Sequence, residues 1–190
     1  MKLDLGSQSQ GRKSVLEKMG YDFEIVVADI DEKLIRDSDP KKLTLKIANA
    51  KADEVIKKVD DSSIIITSDS VVVANGNIIE KPVDENEARE HLKDISNNVA
   101  QKLVSAVVLV NTSTNKRFDG VSEATVVFNK IPQENIDKFI VSGDVFKVAG
   151  SFAVEHPFFK PFIKEINGEI ETITGLPKEL TQKLLQKAKN

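Results

Sequence analysis

Ser62 to Gly76 reads "SSIIITSDSVVVANG", with Ile64 to Ile66 on one side of Asp69 and Val71 to Val73 on the other. β-Branched residues at this density predict a strand. A run this apolar belongs inside a sheet. Asn75-Gly76 is a two-residue hairpin signal, returning through "NIIEKP". An ionised carboxylate in a buried strand costs roughly several kcal/mol unless a cation, hydrogen bonds or a metal offset it. Two readings of Asp69 are open. The strand surfaces at "TSDS" and the acid sits at an exposed bend, or the acid is buried for a chemical reason.

Working outward, helices and strands alternate irregularly. Val15, Leu16 and Met19 share a helical face that Gly20 ends. "FEIVVADI", Phe23 to Ile30, reads as a strand. From Pro40 to about Lys57 a helix carries the stripe Leu45, Ala48, Ala52, Val55 and Ile56. Asp84 and Glu87 have capping-box spacing before a helix faced by Ala88, Leu92 and Ile95. "KLVSAVVLVNT" and "RFDGVSEATVVF" read as long strands joined by the polar "STNK". Pro132 opens a helix with Ile136, Phe139 and Ile140 inward. "FFKPFIKEINGEIETITG" reads as extended, and a last helix from Pro177 turns Leu180 and Leu184 to the core. Hairpins mixed with helices predict a mixed-sheet α/β or α+β fold without a clean βαβ series.

The 190 residues suit one domain of two lobes, and 40% hydrophobic residues suffice for a core. The net charge is −3 and the pI about 5.5, which argues against a nucleic-acid backbone as partner. A nucleotide needs only a few local cations. There is no cysteine, so disulfides, thiolate metal sites and cysteine nucleophiles are excluded. The first residues lack an apolar signal region and no run approaches the ~20 apolar residues of a membrane span. The expectation is a cytoplasmic protein with no membrane partner.

Four further features could carry chemistry. "LGSQSQGRKSVL", Leu5 to Leu16, runs from a strand through small residues into a helix that starts with Arg12 and Lys13. Small residues permit close approach, free N–H groups favour an anion, and Arg12 can fork onto a phosphate. An ordinary polar loop is the plain alternative, and the Walker spacing is absent. "DIDEK", Asp29 to Lys33, offers three acids for a hard cation, or is a charged loop. Lys81 precedes Pro82, so its backbone is extended. Lys51 lies close in register to the alanine stripe, where lysines usually reach back to water. His91 and His156 are the two histidines. His91 is expected at the surface, and neither has metal-ligand spacing.

Taken together, the chain resembles the Maf family of nucleoside triphosphate pyrophosphatases over nearly its whole length. The family's opening loop stands as Leu5-Gly6-Ser7-Gln8-Ser9-Gln10-Gly11-Arg12 and its Ile-Asp-Glu as Ile30-Asp31-Glu32. Lys51 in "ANAKA", Asp69-Ser70-Val71-Val72 and Lys81-Pro82 follow in order. Ala149-Gly150-Ser151-Phe152 and Gly175-Leu176-Pro177 complete the series. The resemblance implies an elongated fold shared with inosine triphosphatases, a long mixed sheet with flanking helices, and two lobes around a cleft. It implies hydrolysis of a triphosphate, canonical or modified, to monophosphate and pyrophosphate with Mg²⁺ or Mn²⁺. In that chemistry Arg12, Lys51 and Lys81 offset phosphate charge, with Ser7, Ser9 and the loop amides on phosphate oxygens. Glu32 and Asp69 hold the metal, and Asp69 is the general base.

The chain departs from the family at several positions. Gly11 replaces the first of two arginines, Gln10 a proline, and Asn97 a glycine, while Gln101 falls near the family's histidine. Glu155 stands where the dTTP/UTP group has glutamine and the 7-methyl-GTP group glutamate, which makes it the base-recognition candidate. The family also includes homodimers. The competing expectation is a nucleotide-binding regulator linked to cell division with weak or no turnover, motivated by the loss of cation at Gly11. An inosine-triphosphatase-type enzyme fits the Lys-Pro and Gly-Leu-Pro motifs poorly.

Overall fold

From the N-terminus, β1 (Lys2–Leu5) leads into α1 (Gln10–Lys18), and β2 (Glu24–Ile25) leads past a 3₁₀ turn at Glu32–Leu34 to α2 (Pro40–Ile56). Next come β3 (Ser63–Ala74), β4 (Asn77–Ile79), α3 (Glu85–Ser96), β5 (Gln101–Asn111) and β6 (Lys116–Phe128). The chain ends with α4 (Gln133–Ser142), three short 3₁₀ turns, β7 (Ile163–Asn167), α5 (Ile170–Ile173) and α6 (Lys178–Lys189). These elements come from a computed structural model that describes residues 2–59 and 62–189. Both ends of the expected 1–190 domain lie outside the described residues.

The seven strands form a mixed sheet in the order β2-β1-β3-β5-β6-β7, with β4 on β3. β1 is parallel to β2 and to β3, whereas β4 and β7 are antiparallel to their neighbours. The expected mixed α/β architecture is what the chain forms. Three expectations are corrected. The first strands do make parallel pairs through crossover helices, because β2 is a two-residue edge strand too short to show a periodicity. "FEIVVADI" is strand only at Glu24–Ile25. Beyond it the backbone turns to other donors, the Val27 carbonyl accepting from Lys58 Nζ at 3.1 Å. "FFKPFIKEINGEIETITG" is not extended throughout: Gly168, at φ 99°, ends β7 and α5 follows.

The chain divides into two compact units. The first comprises Met1–Ser70, Val104–Ser122 and Gly175–Asn190, and the second Val71–Leu103 and Glu123–Thr174. In the first unit two cores form. Leu3, Leu5, Ile64 and Ile66 pack with α1 and α6, while Ile65, Val108 and Val110 pack with Ala48, Ala52 and Val55 of α2. In the second, α3 and α4 enclose a core rich in phenylalanine, with Phe128, Phe139, Phe152 and Phe159 in edge-to-face contacts. Local signals set the element ends. The Asn75-Gly76 turn has φ of 51° and 80°, as a tight hairpin demands. Asp84 accepts from Glu87 N–H at 2.9 Å and Glu87 accepts from Val83 N–H at 2.7 Å, a reciprocal cap.

Candidate active site

Alternation along β3 decides where Asp69 points. Ile65, Thr67 and Asp69 face α2, and Ile64, Ile66 and Ser68 face the other way. On α2 the residues Ala48, Lys51, Ala52 and Val55 share one buried stripe. The hydroxyl of Thr67 donates to the Ala48 carbonyl at 2.8 Å, pinning the strand to the helix one turn before Lys51. Lys51 Nζ then meets Asp69 Oδ1 at 2.9 Å. Both residues are buried, at 7% and 6% exposure, so Lys51 does not reach back to water as lysines on such stripes usually do. The same ammonium lies 3.0 Å from Glu32 Oε1. Glu32 opens the 3₁₀ turn that Asp31 caps by accepting from Lys33 N–H at 3.0 Å. Of the acids in "DIDEK", Asp31 thus caps the turn and Glu32 meets Lys51. Among the described residues no group of three or more carboxylates or histidines could hold a metal by itself.

The loop after β1 brings the second cation, Arg12. Gly6 donates to the Ile66 carbonyl at 2.8 Å, and a Cβ there would stand 2.6 Å from Thr67 Cγ2. Glycine thus lets the loop lie against β3. Ser7 Oγ accepts from Arg12 Nη1 at 3.1 Å and from Ser9 N–H at 3.2 Å. Ser9 caps α1, whose first turn carries Arg12. Arg12 Nε donates to the Gly175 carbonyl at 3.1 Å. That carbonyl also accepts from Ser68 Oγ at 2.7 Å. Gly175 has φ 99°, a conformation that favours glycine. The Gly-Leu-Pro motif therefore fixes Arg12, a role sequence reading assigned to neither Gly175 nor Ser68. The available signal was a glycine two residues before the proline that leads into the last helix.

Burial pushes the Asp69 carboxyl up from its ordinary value, opposed by Lys51 and Arg12 and reinforced by Glu32. Burial lowers the Arg12 guanidinium, opposed by Asp69 and Glu32, and a guanidinium stays charged at any working pH. Two cations and two carboxylates thus lie together with an acid poised above the usual carboxylate range. Glu32 and Asp69 are hard oxygen donors already arranged around a cation, the Lys51 ammonium, and that donor set suits Mg²⁺ or Mn²⁺ when phosphate and water complete the shell.

The first unit brings together Ser7, Arg12, Glu32, Lys51 and Asp69, with Ser9 as the adjoining helix cap. Lys81 and Glu155 belong to the second unit, where both are exposed. His91 is not a surface residue: its side chain is 15% exposed, and Nδ1 lies 2.8 Å from Ser151 Oγ.

A family model described as Maf-like protein matches residues 2–188. The curated 7-methyl-GTP pyrophosphatase of Dictyostelium discoideum is 49% identical over 190 residues, covering 96% of this chain and 95% of its own length. The dTTP/UTP pyrophosphatase of Alkaliphilus metalliredigens (strain QYMF) is 33% identical over 176 residues, covering 93% of this chain and 90% of its own. Among solved structures, a HAM1 protein from Coxiella burnetii matches with a TM-score of 0.52 at 9% identity, covering 98% of this chain and 97% of that chain. At that identity the likeness concerns the fold alone.

Proposed function

The chain belongs to the Maf-like family, and from that premise we propose that it hydrolyses a nucleoside triphosphate to the monophosphate and pyrophosphate. The observation that carries the reading is the Lys51 ammonium between Asp69 and Glu32, with Arg12 beside them. Relatives named as pyrophosphatases on both sides of the substrate division favour turnover over a binding-only role.

In this reaction water attacks the α-phosphorus, the bond to the bridging oxygen breaks, and pyrophosphate leaves. Asp69 accepts the proton of the attacking water. Burial raises its affinity for protons above that of an ordinary carboxylate, the direction a general base needs. Arg12 and Lys51 offset charge on the phosphate oxygens, and Ser7 and Ser9 with the loop amides orient them. A divalent metal, held by Glu32 and Asp69, would supply charge neutralisation across the phosphates. Lys81 is assigned to the phosphates and Glu155 to the base, on the strength of the motifs alone. On this reading residues 1–190 act as one domain.

We further read the substrate as the class of the Dictyostelium relative, a 7-methylated guanine nucleotide, supported by the higher identity and by Glu155. A methylated guanine carries positive charge, which a carboxylate attracts. No described helix is long and apolar enough to cross a membrane. The reading also takes the chain to be cytoplasmic and to pair with a second copy. A panel of canonical and modified triphosphates with Mg²⁺ or Mn²⁺ tests the proposal. Pyrophosphate release that Asp69→Asn abolishes is expected. Binding without release over the whole panel would leave a regulator instead.

A further inference from the structure

Within the second unit one histidine holds together segments that the proposed chemistry needs. Gly150 and Ser151 adopt φ of 65° and 61° in succession. At Gly150 a side chain is impossible without movement, because a Cβ would stand 2.9 Å from Val72 Cγ2. At Ser151 a residue with a Cβ occupies the left-handed region, at a cost of about 1 kcal/mol or more. Such a turn persists only where its surroundings hold it. Ser151 is fully buried, and its hydroxyl lies 2.8 Å from His91 Nδ1 on α3. His91 Nε2 lies 3.9 Å from Glu87 Oε1 on the same helix. One residue earlier, Gly150 N–H donates to the Glu80 carbonyl at 3.1 Å. Lys81 follows Glu80 directly. Downstream, Phe152 and Val154 are buried, so Glu155 projects from a segment whose course the same turn sets.

We propose that His91 is a positioning residue. Through Ser151 it fixes the strained turn at Gly150–Ser151, and the turn places Lys81 on one side and Glu155 on the other for nucleotide binding. The inference rests on the pyrophosphatase reading, from which Lys81 and Glu155 take their roles. A satisfied core pair would be enough to explain one hydrogen bond. It does not explain why the bond falls on the strained residue of a turn that is itself tied to the residue preceding Lys81.

The test compares His91→Leu, His91→Asn, Ser151→Ala and the Leu/Ala double variant. Asparagine places an amide group near the Nδ1 position, while leucine fills the volume without a hydrogen bond. His91→Leu is expected to raise KM about 5–10-fold with kcat within about twofold of wild type. His91→Asn should restore KM to within about twofold, and the double variant should be no worse than either single. Amide exchange at Gly150 should quicken about tenfold in His91→Leu and recover in His91→Asn. Unchanged KM with a lowered Tm would overturn the proposal by showing a merely structural role. Equal impairment by leucine and asparagine would overturn it too, as would additive effects. Exchange does not depend on turnover. A wild-type chain that releases no pyrophosphate removes the pyrophosphatase reading and this inference with it. Unchanged exchange at Gly150 removes the tie alone.

Discussion

Asp69 carries a charge that the protein interior resists. Burial raises its pKa in the folded state despite Lys51 and Arg12, so between the unfolded and folded values the native state holds more protons. Stability therefore falls as pH rises from the unfolded value through the folded one, and the cost is complete above the folded value. Asparagine imitates the neutral acid and removes the cost. Asp69→Asn should lower kcat by at least about 10²-fold, yet show an equal or higher Tm than wild type at about pH 8, the difference shrinking toward about pH 4. Thermal melts across pH read this directly. Lys51→Met should do the opposite, destabilising by about 3 kcal/mol at about pH 8 and by less at a lower pH, as Asp69 takes up a proton. Denaturant titrations at the two pH values check it. The sequence showed Asp69 as an anomaly and left both explanations open. Lys51 was harder to read, since its stripe predicts a core face while its side chain predicts solvent. Only the pairing decides between them, and a pair joining α2 to β3 has no local sequence signal.

At the scale of elements, the site depends on how β3, α2 and the Gly175 turn are joined. Thr67 ties strand to helix one turn from Lys51, so Thr67→Val should cost about 1 kcal/mol. It should also lower kcat several-fold as the ammonium shifts, as measured by denaturation and steady-state kinetics. Gly175→Ala forces a Cβ onto φ 99° and crowds Arg12 Nε, which would stand 3.3 Å from it. A loss of about 1–3 kcal/mol with a several-fold rise in KM is expected. The hairpin, the caps at Asp84 and Glu87 and the amphipathic helices were legible because each is written within a few adjacent residues. The length of β2 was not. Whether "FEIVVADI" stays in the sheet depends on the partners of its backbone groups: past Ile25 the Val26 N–H still donates to the Leu5 carbonyl, but the Val27 carbonyl accepts from Lys58 Nζ instead of a strand. The segment around Gly168 was misread because its apolar residues suit a strand, whereas the glycine ends it.

Across the whole molecule, the order of short motifs told more than any one of them. Single features such as "DIDEK" or Lys81-Pro82 had plain alternatives, yet together they named the family that the comparison confirms over residues 2–188. In the first unit Lys51 already offsets the two carboxylates, Glu32 and Asp69. Chelation should consequently abolish turnover, by more than about 10²-fold, while leaving Tm nearly unchanged, and Mg²⁺ or Mn²⁺ should restore activity. The central claim is that water, deprotonated by Asp69, attacks the α-phosphorus. The most direct measurement is hydrolysis of 7-methyl-GTP in ¹⁸O-labelled water, with mass analysis of both products. The predicted result is one ¹⁸O in the monophosphate, none in pyrophosphate, and no labelled product from Asp69→Asn. Label in the pyrophosphate, release of orthophosphate, or full activity in Asp69→Asn would contradict it.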